Sequence, residues 1–180
     1  EPTPTDRGRP VPSLTTPEPA LTPPGPSSSP TGTTDDARSQ AEVLDSLLDA
    51  SAGSRKLLLR ALQDAGNCIN TVAAAQALDQ VADERNTQLQ QVRELRVTAL
   101  RNGTQIQATL LEALTRSVEA DRAFARWARG IRAEGCQQDG NYRDGVSASS
   151  AARAAKALFC SVWNPVAAGF GLPRRTLEEI

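Results

Sequence analysis

Residues 102–135, NGTQIQATLLEALTRSVEADRAFARWARGIRAEG, decide the fold. Asn102-Gly103 is a turn pair and Gly135 a stop. Between them Ile106, Leu110, Leu114, Val118, Phe124, Ala125, Ala128 and Ile131 recur at helical spacing. With 3.6 residues per turn, that period sets them along one face of a long helix, whose last turn Gly130 weakens. A stripe of this length has to be covered by other elements.

The flanking sequence supplies three more helices. Upstream, Asn70 or Thr71 opens a helix that fades near Arg96, with a stripe of Val72, Ala75, Leu78, Val81, Ala82, Leu89, Val92 and Leu95. Before it, Asp35 and Asp36 offer N-caps for a helix over 36–66, bent at Gly53 and stopped by Gly66-Asn67. Its apolar positions are Ala41, Leu44, Leu47, Leu48, Leu58, Ala61, Leu62 and Ala65. Downstream, Gly140, Asn141 and Gly145 predict a loop over 136–145, followed by a helix over 146–163 carrying Ala148, Ala152, Ala155, Phe159 and Val162. Asn164-Pro165 predicts a break, a short helix over 165–169 and a turn at Gly171-Leu172-Pro173. Short connections between long helices favour antiparallel neighbours. The expected fold is therefore all-α, an antiparallel up-down-up-down four-helix bundle with a short C-terminal helix.

The first thirty residues are of another kind, holding ten of the twelve prolines among Thr, Ser and Gly. Only Val11, Leu14 and Leu21 there are large and aliphatic, too little apolar surface to offset the entropy of ordering. The expected organisation is a disordered Pro/Thr/Ser-rich linker over 1–34 and a helical-bundle domain over 35–180. The linker suits holding a domain out from a surface, and its Pro-x-x-Pro spacing is the alternative signal of an SH3-like ligand. The chain contains no Met. It is expected to be the mature or excised part of a longer protein, with any signal or membrane anchor upstream of Glu1.

The segments Ala120-Asp121-Arg122-Ala123-Phe124-Ala125-Arg126-Trp127-Ala128 and Trp163-Asn164-Pro165-Val166-Ala167, then Gly171-Leu172-Pro173, resemble a group of uncharacterised actinobacterial extracytoplasmic proteins. The likeness covers residues 38 to 180. It implies an exported helical domain behind a membrane anchor and a low-complexity spacer. It assigns no activity and no functional residues. Arg outnumbers Lys eighteen to two and Ala is abundant, a bias matching a GC-rich bacterial genome.

Cys68, Cys136 and Cys160 have no metal-ligand spacing, and no His completes a zinc set. In the expected topology the ends of the first and third helices share a pole, which brings Cys68 to Cys136. Cys160 lies about 14 residues into the fourth helix, roughly 21 Å toward the other pole, and is the odd thiol. A Cys68–Cys136 disulfide fits an oxidising compartment; three buried, reduced thiols are the alternative.

Polar residues interrupt the stripes at one level. Arg85 stands in the series 78, 81, 85, 89, 92 and Asp121 in the series 114, 118, 121, 125, 128. Each lies roughly 18 to 20 Å from one pole at 1.5 Å per residue. Lys156 has a compatible depth on the fourth helix, and Ser51 and Ser54 interrupt the first. Arg85 and Asp121 are expected to meet inside the bundle, with Lys156 near enough to share the carboxylate. The arrangement reads either as a buried pair fixing helix register or as a small polar ligand site.

No His is present, which excludes nucleophile triads with an imidazole base and di-iron sites of the Glu-x-x-His type. A net charge of −1 argues against broad nucleic-acid binding. No apolar run nears the roughly 20 residues that span a bilayer. The expected function is a non-enzymatic, extracytoplasmic module for binding or sensing at the cell envelope, without cofactor or metal, whose partner is an envelope protein or polymer. The competing expectation is an enzyme or small-ligand receptor using Arg85, Asp121 and Lys156.

Overall fold

The computed structural model describes residues 33–180, apart from the side chains of residues 132–134. The linker expectation, up to residue 32, lies outside the described residues. The chain forms α1 (Thr34–Gly66), α2 (Thr71–Glu94), α3 (Gly103–Glu134) and α4 (Gly140–Gly169), and one 3-10 turn at Leu177–Glu179. This is an all-α antiparallel bundle, with no strand among the described residues.

Local chemistry sets the helix ends. Thr33 caps α1 by accepting from the Asp36 N–H at 3.2 Å, and the Asp36 carboxylate accepts in return from the Thr33 N–H at 3.2 Å. This capping box satisfies two otherwise orphaned donors and starts α1 two residues before the expected position. The helix then runs through Gly53 without a break. Its other end closes with Ile69 N–H on the Asp64 carbonyl (2.8 Å) and Cys68 N–H on the Ala65 carbonyl (3.2 Å). Cys68, at φ 58°, holds the left-handed position that glycine ordinarily takes in this motif. The helix thus stops at Gly66 with Asn67 as its C-cap, where the sequence placed the stop, and Cys68 supplies the left-handed residue that closes the motif.

The largest departure from expectation is α4. It begins at Gly140, six residues early, because the Asp139 carboxylate accepts from the Tyr142 N–H at 2.9 Å. Gly145, expected in a loop, is instead where α4 crosses Phe124. A Cβ there would sit 2.6 Å from the ring. The same helix continues through Pro165, so no separate helix forms over 165–169. Asn164 is not a cap; its amide donates to the Arg175 carbonyl (3.0 Å) and its carbonyl accepts from the Arg175 N–H (2.8 Å). Beyond α4 the last helical element among the described residues is the 3-10 turn at Leu177–Glu179, which helical periodicity did not predict.

The core has two apolar halves. At one pole Leu44, Leu48, Val92, Leu110, Phe159, Trp163 and the fully buried Ile180 belong to one apolar cluster. At the other, Ala65, Leu78, Phe124, Trp127 and Ile131 pack together. Phe124 and Trp127 both meet Tyr142 edge-on, at centroid distances of 5.8 and 4.8 Å, an arrangement aromatic quadrupoles favour. The expected stripes supply most of these contacts, though Val72 is exposed. Helices adjacent in sequence pack against each other, and the turn at 177–179 touches both α1 and α4. The C-terminal segment thus lies in the seam between the first and last helices.

Cys68 and Cys136 form a disulfide at the pole of the second cluster, their Cα atoms 5.7 Å apart, while Cys160 is free and half-buried. The bridge spans 68 positions of sequence, and closing a long loop restricts the unfolded chain. Reduction is expected to lower stability by about 2 to 4 kcal/mol in denaturant titrations with and without reductant. Under denaturing, non-reducing conditions, mass spectrometry should find one alkylated cysteine, Cys160; alkylation of Cys68 or Cys136 would contradict the pairing.

Candidate functional site

Between the two apolar halves lies a polar level. Arg85 from α2 and Asp121 from α3 are 2% and 1% exposed, and Arg85 Nη1 donates to Asp121 Oδ2 at 2.8 Å. Both side chains occupy core-facing positions because each stands one helical step from buried aliphatic residues, Val81 and Leu89 on α2, Val118 and Ala125 on α3. Around the pair, Ser51 donates to Gln88 Oε1 at 3.0 Å and Ser54 to Glu84 Oε2 at 2.7 Å, tying α1 to α2. The Ser54 bond, with a second from Gln80, holds the Glu84 carboxyl below its ordinary range.

The Arg85–Asp121 contact is incomplete. Arg85 Nε and Nη2 and Asp121 Oδ1 are buried without hydrogen-bond partners among the described residues. A carboxylate can accept at both oxygens and a guanidinium can donate along a fork, so one bond leaves much of either group's capacity unused. Burial pushes the Asp121 carboxyl above its ordinary range, opposed by the charges of Arg85, Lys156 and Arg55.

Lys156 is placed differently from the expectation. It is 5% exposed and borders the same cavity as Asp121, but it makes no ion pair with that carboxylate within 4 Å. Its Nζ donates instead to the main-chain oxygen of Ile180. The physical reason is the C-terminal segment, which fills the α1/α4 seam and offers Lys156 an acceptor that helix periodicity could not reveal. Burial, then the Arg85 and Arg55 charges, bring the Lys156 pKa down to about 8.

The cavity is about 320 Å³. Arg85 and Asp121 border it from α2 and α3, Arg55 from α1, Arg153 and Lys156 from α4, and Glu178 from the C-terminal segment. Glu178 bridges its sides, pairing with Arg55 and, at 3.4 Å, with Arg153. Four cationic side chains thus face two carboxylates, an electropositive lining inside a chain of net charge −1.

Sequence patterning did not find the residues that position this C-terminal segment. Arg175 is buried, and its guanidinium donates to the Asp45 carboxylate, the Asp45 carbonyl (3.1 Å) and Asp49 Oδ1 (2.7 Å). Asp45 and Asp49 stand one helical turn apart on α1, a spacing that was visible, but Arg175 lies outside any periodic segment.

No group of acidic, Cys or His side chains among the described residues is arranged to hold a metal ion. No described helix is long and apolar enough to cross a membrane. The chain matches no protein-family model, no curated protein and no solved structure.

Two outcomes follow from the buried charges. Asp121→Ala strands Arg85 and should cost about 3 to 5 kcal/mol, whereas the double variant Arg85→Met/Asp121→Leu should cost much less. Denaturation of both single variants and the double measures this coupling, and additive losses would contradict it. For Lys156, the folded pKa of about 8 lies below the unfolded value of about 10.4. The unfolded chain then binds more protons between those values, so the cost of burying the cation is full below pH 8 and fades as pH rises toward 10.4. Stability should gain on the order of 1 to 3 kcal/mol across that window, a gain absent from Lys156→Met.

Proposed function

We propose that this chain is a non-enzymatic helical-bundle module that binds a small polar molecule at the cell envelope, displayed on its Pro-rich N-terminal segment. The observation that carries this reading is the set of three buried polar atoms, Arg85 Nε, Arg85 Nη2 and Asp121 Oδ1, left without partners beside a cavity of about 320 Å³. A pair whose only task was to fix helix register gains most when its hydrogen-bonding capacity is filled internally. Here the two residues that carry the unused capacity also line a space of ligand size.

An extracytoplasmic address is supported by the Cys68–Cys136 disulfide, which persists in oxidising compartments. A non-enzymatic role is supported by the lack of His, the side chain most used as a general base near neutral pH. In this reading the ligand-bound bundle is recognised by another envelope protein or polymer.

A thermal-denaturation screen of small polar metabolites tests the proposal. A true ligand at a hundred times its Kd should stabilise the bundle by about 2.7 kcal/mol. The Arg85→Met/Asp121→Leu variant should fold and lose that response. A library without a stabilising compound, or an equal response from the double variant, would count against the cavity as a receptor site.

A further inference from the structure

Resting on the receptor reading above, the geometry points to a ligand class: we propose that the cavity takes a small oxyanion, a carboxylate or phosphate, that also carries a hydroxyl or amine donor, and that Glu178 is the internal occupant it displaces. The oxyanion follows from Arg85. Its one bond to Asp121 uses Nη1, leaving the side of the guanidinium formed by Nε and Nη2 buried without a partner. Those two N–H groups are parallel and spaced to grip two oxygens of one carboxylate or phosphate. Lys156, Arg55 and Arg153 add charge of the same sign around the cavity. The donor follows from Asp121, whose Oδ1 is buried without a partner and accepts only. A fully deprotonated oxyanion alone would leave that oxygen unsatisfied.

Glu178 supplies the second half of the inference. Its carboxylate already sits between Arg55 of α1 and Arg153 of α4, making the type of contact an oxyanion ligand would make there. It is more than half exposed, as is Arg153, so its hold is weak and exchangeable. Arg175 meanwhile anchors the segment's earlier part to Asp45 and Asp49. The turn at 177–179 can therefore yield its arginines to a ligand while the rest of the segment stays fixed.

Titration of the full chain with glycerol 3-phosphate, lactate, inorganic phosphate and glycerol tests this, read by NMR at the arginine Nε–H resonances, with that of Arg85 assigned through Arg85→Lys. Glycerol 3-phosphate or lactate should shift the Arg85 resonance saturably, and which one does so identifies the oxyanion as phosphate or carboxylate. Inorganic phosphate, without a carbon-borne donor, should bind more weakly, and glycerol should leave the resonance unmoved. Glu178→Gln should tighten binding about two- to fivefold, the range for losing one exposed competing ion pair. Arg153→Gln, on the exposed rim where folding is not at stake, should weaken it. Failure of both organic anions to shift Arg85 at tens of millimolar, or an unchanged Kd in Glu178→Gln, overturns the proposal. If neutral compounds from the thermal screen shift Arg85 while the anions do not, the oxyanion class fails and the receptor reading stands. If nothing shifts it, both fail.

Discussion

A single charged contact, Arg85 with Asp121, sets the terms for the middle of this bundle. Two ions removed from water cost several kcal/mol each, and their attraction offsets that cost only when the geometry is good and the remaining donors and acceptors are used. The apolar clusters at the two poles supply the folding energy that lets such a level exist between them. The pair in turn fixes how α2 meets α3, since a rotation of either helix would turn an ion into hydrocarbon. Ser51 and Ser54 extend the same level to α1 through Gln88 and Glu84. The polar layer is thus shared by three helices, and Arg85 and Asp121 within it line the cavity.

The C-terminal segment completes what the helices leave open. Helices next to one another in sequence pack along their lengths, but the first and last are joined through residues 170–180. Arg175 is held by two α1 carboxylates, its main chain by Asn164 of α4, and Ile180 is buried in the apolar cluster that includes Phe159 and Trp163. These attachments are of different kinds, charge-assisted, amide and apolar, and each secures a different part of the segment. The turn at 177–179 is the section tied chiefly by exposed ion pairs.

What could be read from the sequence follows from which forces are periodic. The stripe from Ile106 to Ile131 and the interruptions at Arg85 and Asp121 are statements about a 3.6-residue repeat, and the structure buries those positions. The meeting of Cys68 and Cys136 followed from helix order alone. The failures came where one tertiary contact outweighed local preference. Gly145 resembles a loop residue until Phe124 is seen to need its missing Cβ, and Asn164-Pro165 resembles a break until Arg175 is seen to occupy the Asn amide. Lys156 was placed at the right depth, but its acceptor, the Ile180 main chain, belongs to a segment without periodicity.

The disulfide also has a mechanical meaning. It joins the end of α1 to the start of the α3–α4 connection, so α2 and α3 lie within a covalent ring closed across 68 positions. Tension along the chain passes from α1 through the sulfur atoms to α4 and bypasses that ring. Under load the two outer helices peel from α2 and α3, hinged at the disulfide pole, and the seam between them is where the cavity and Glu178 lie. A pull would therefore open the cavity while leaving the Arg85–Asp121 floor intact, because both of its residues belong to the ring.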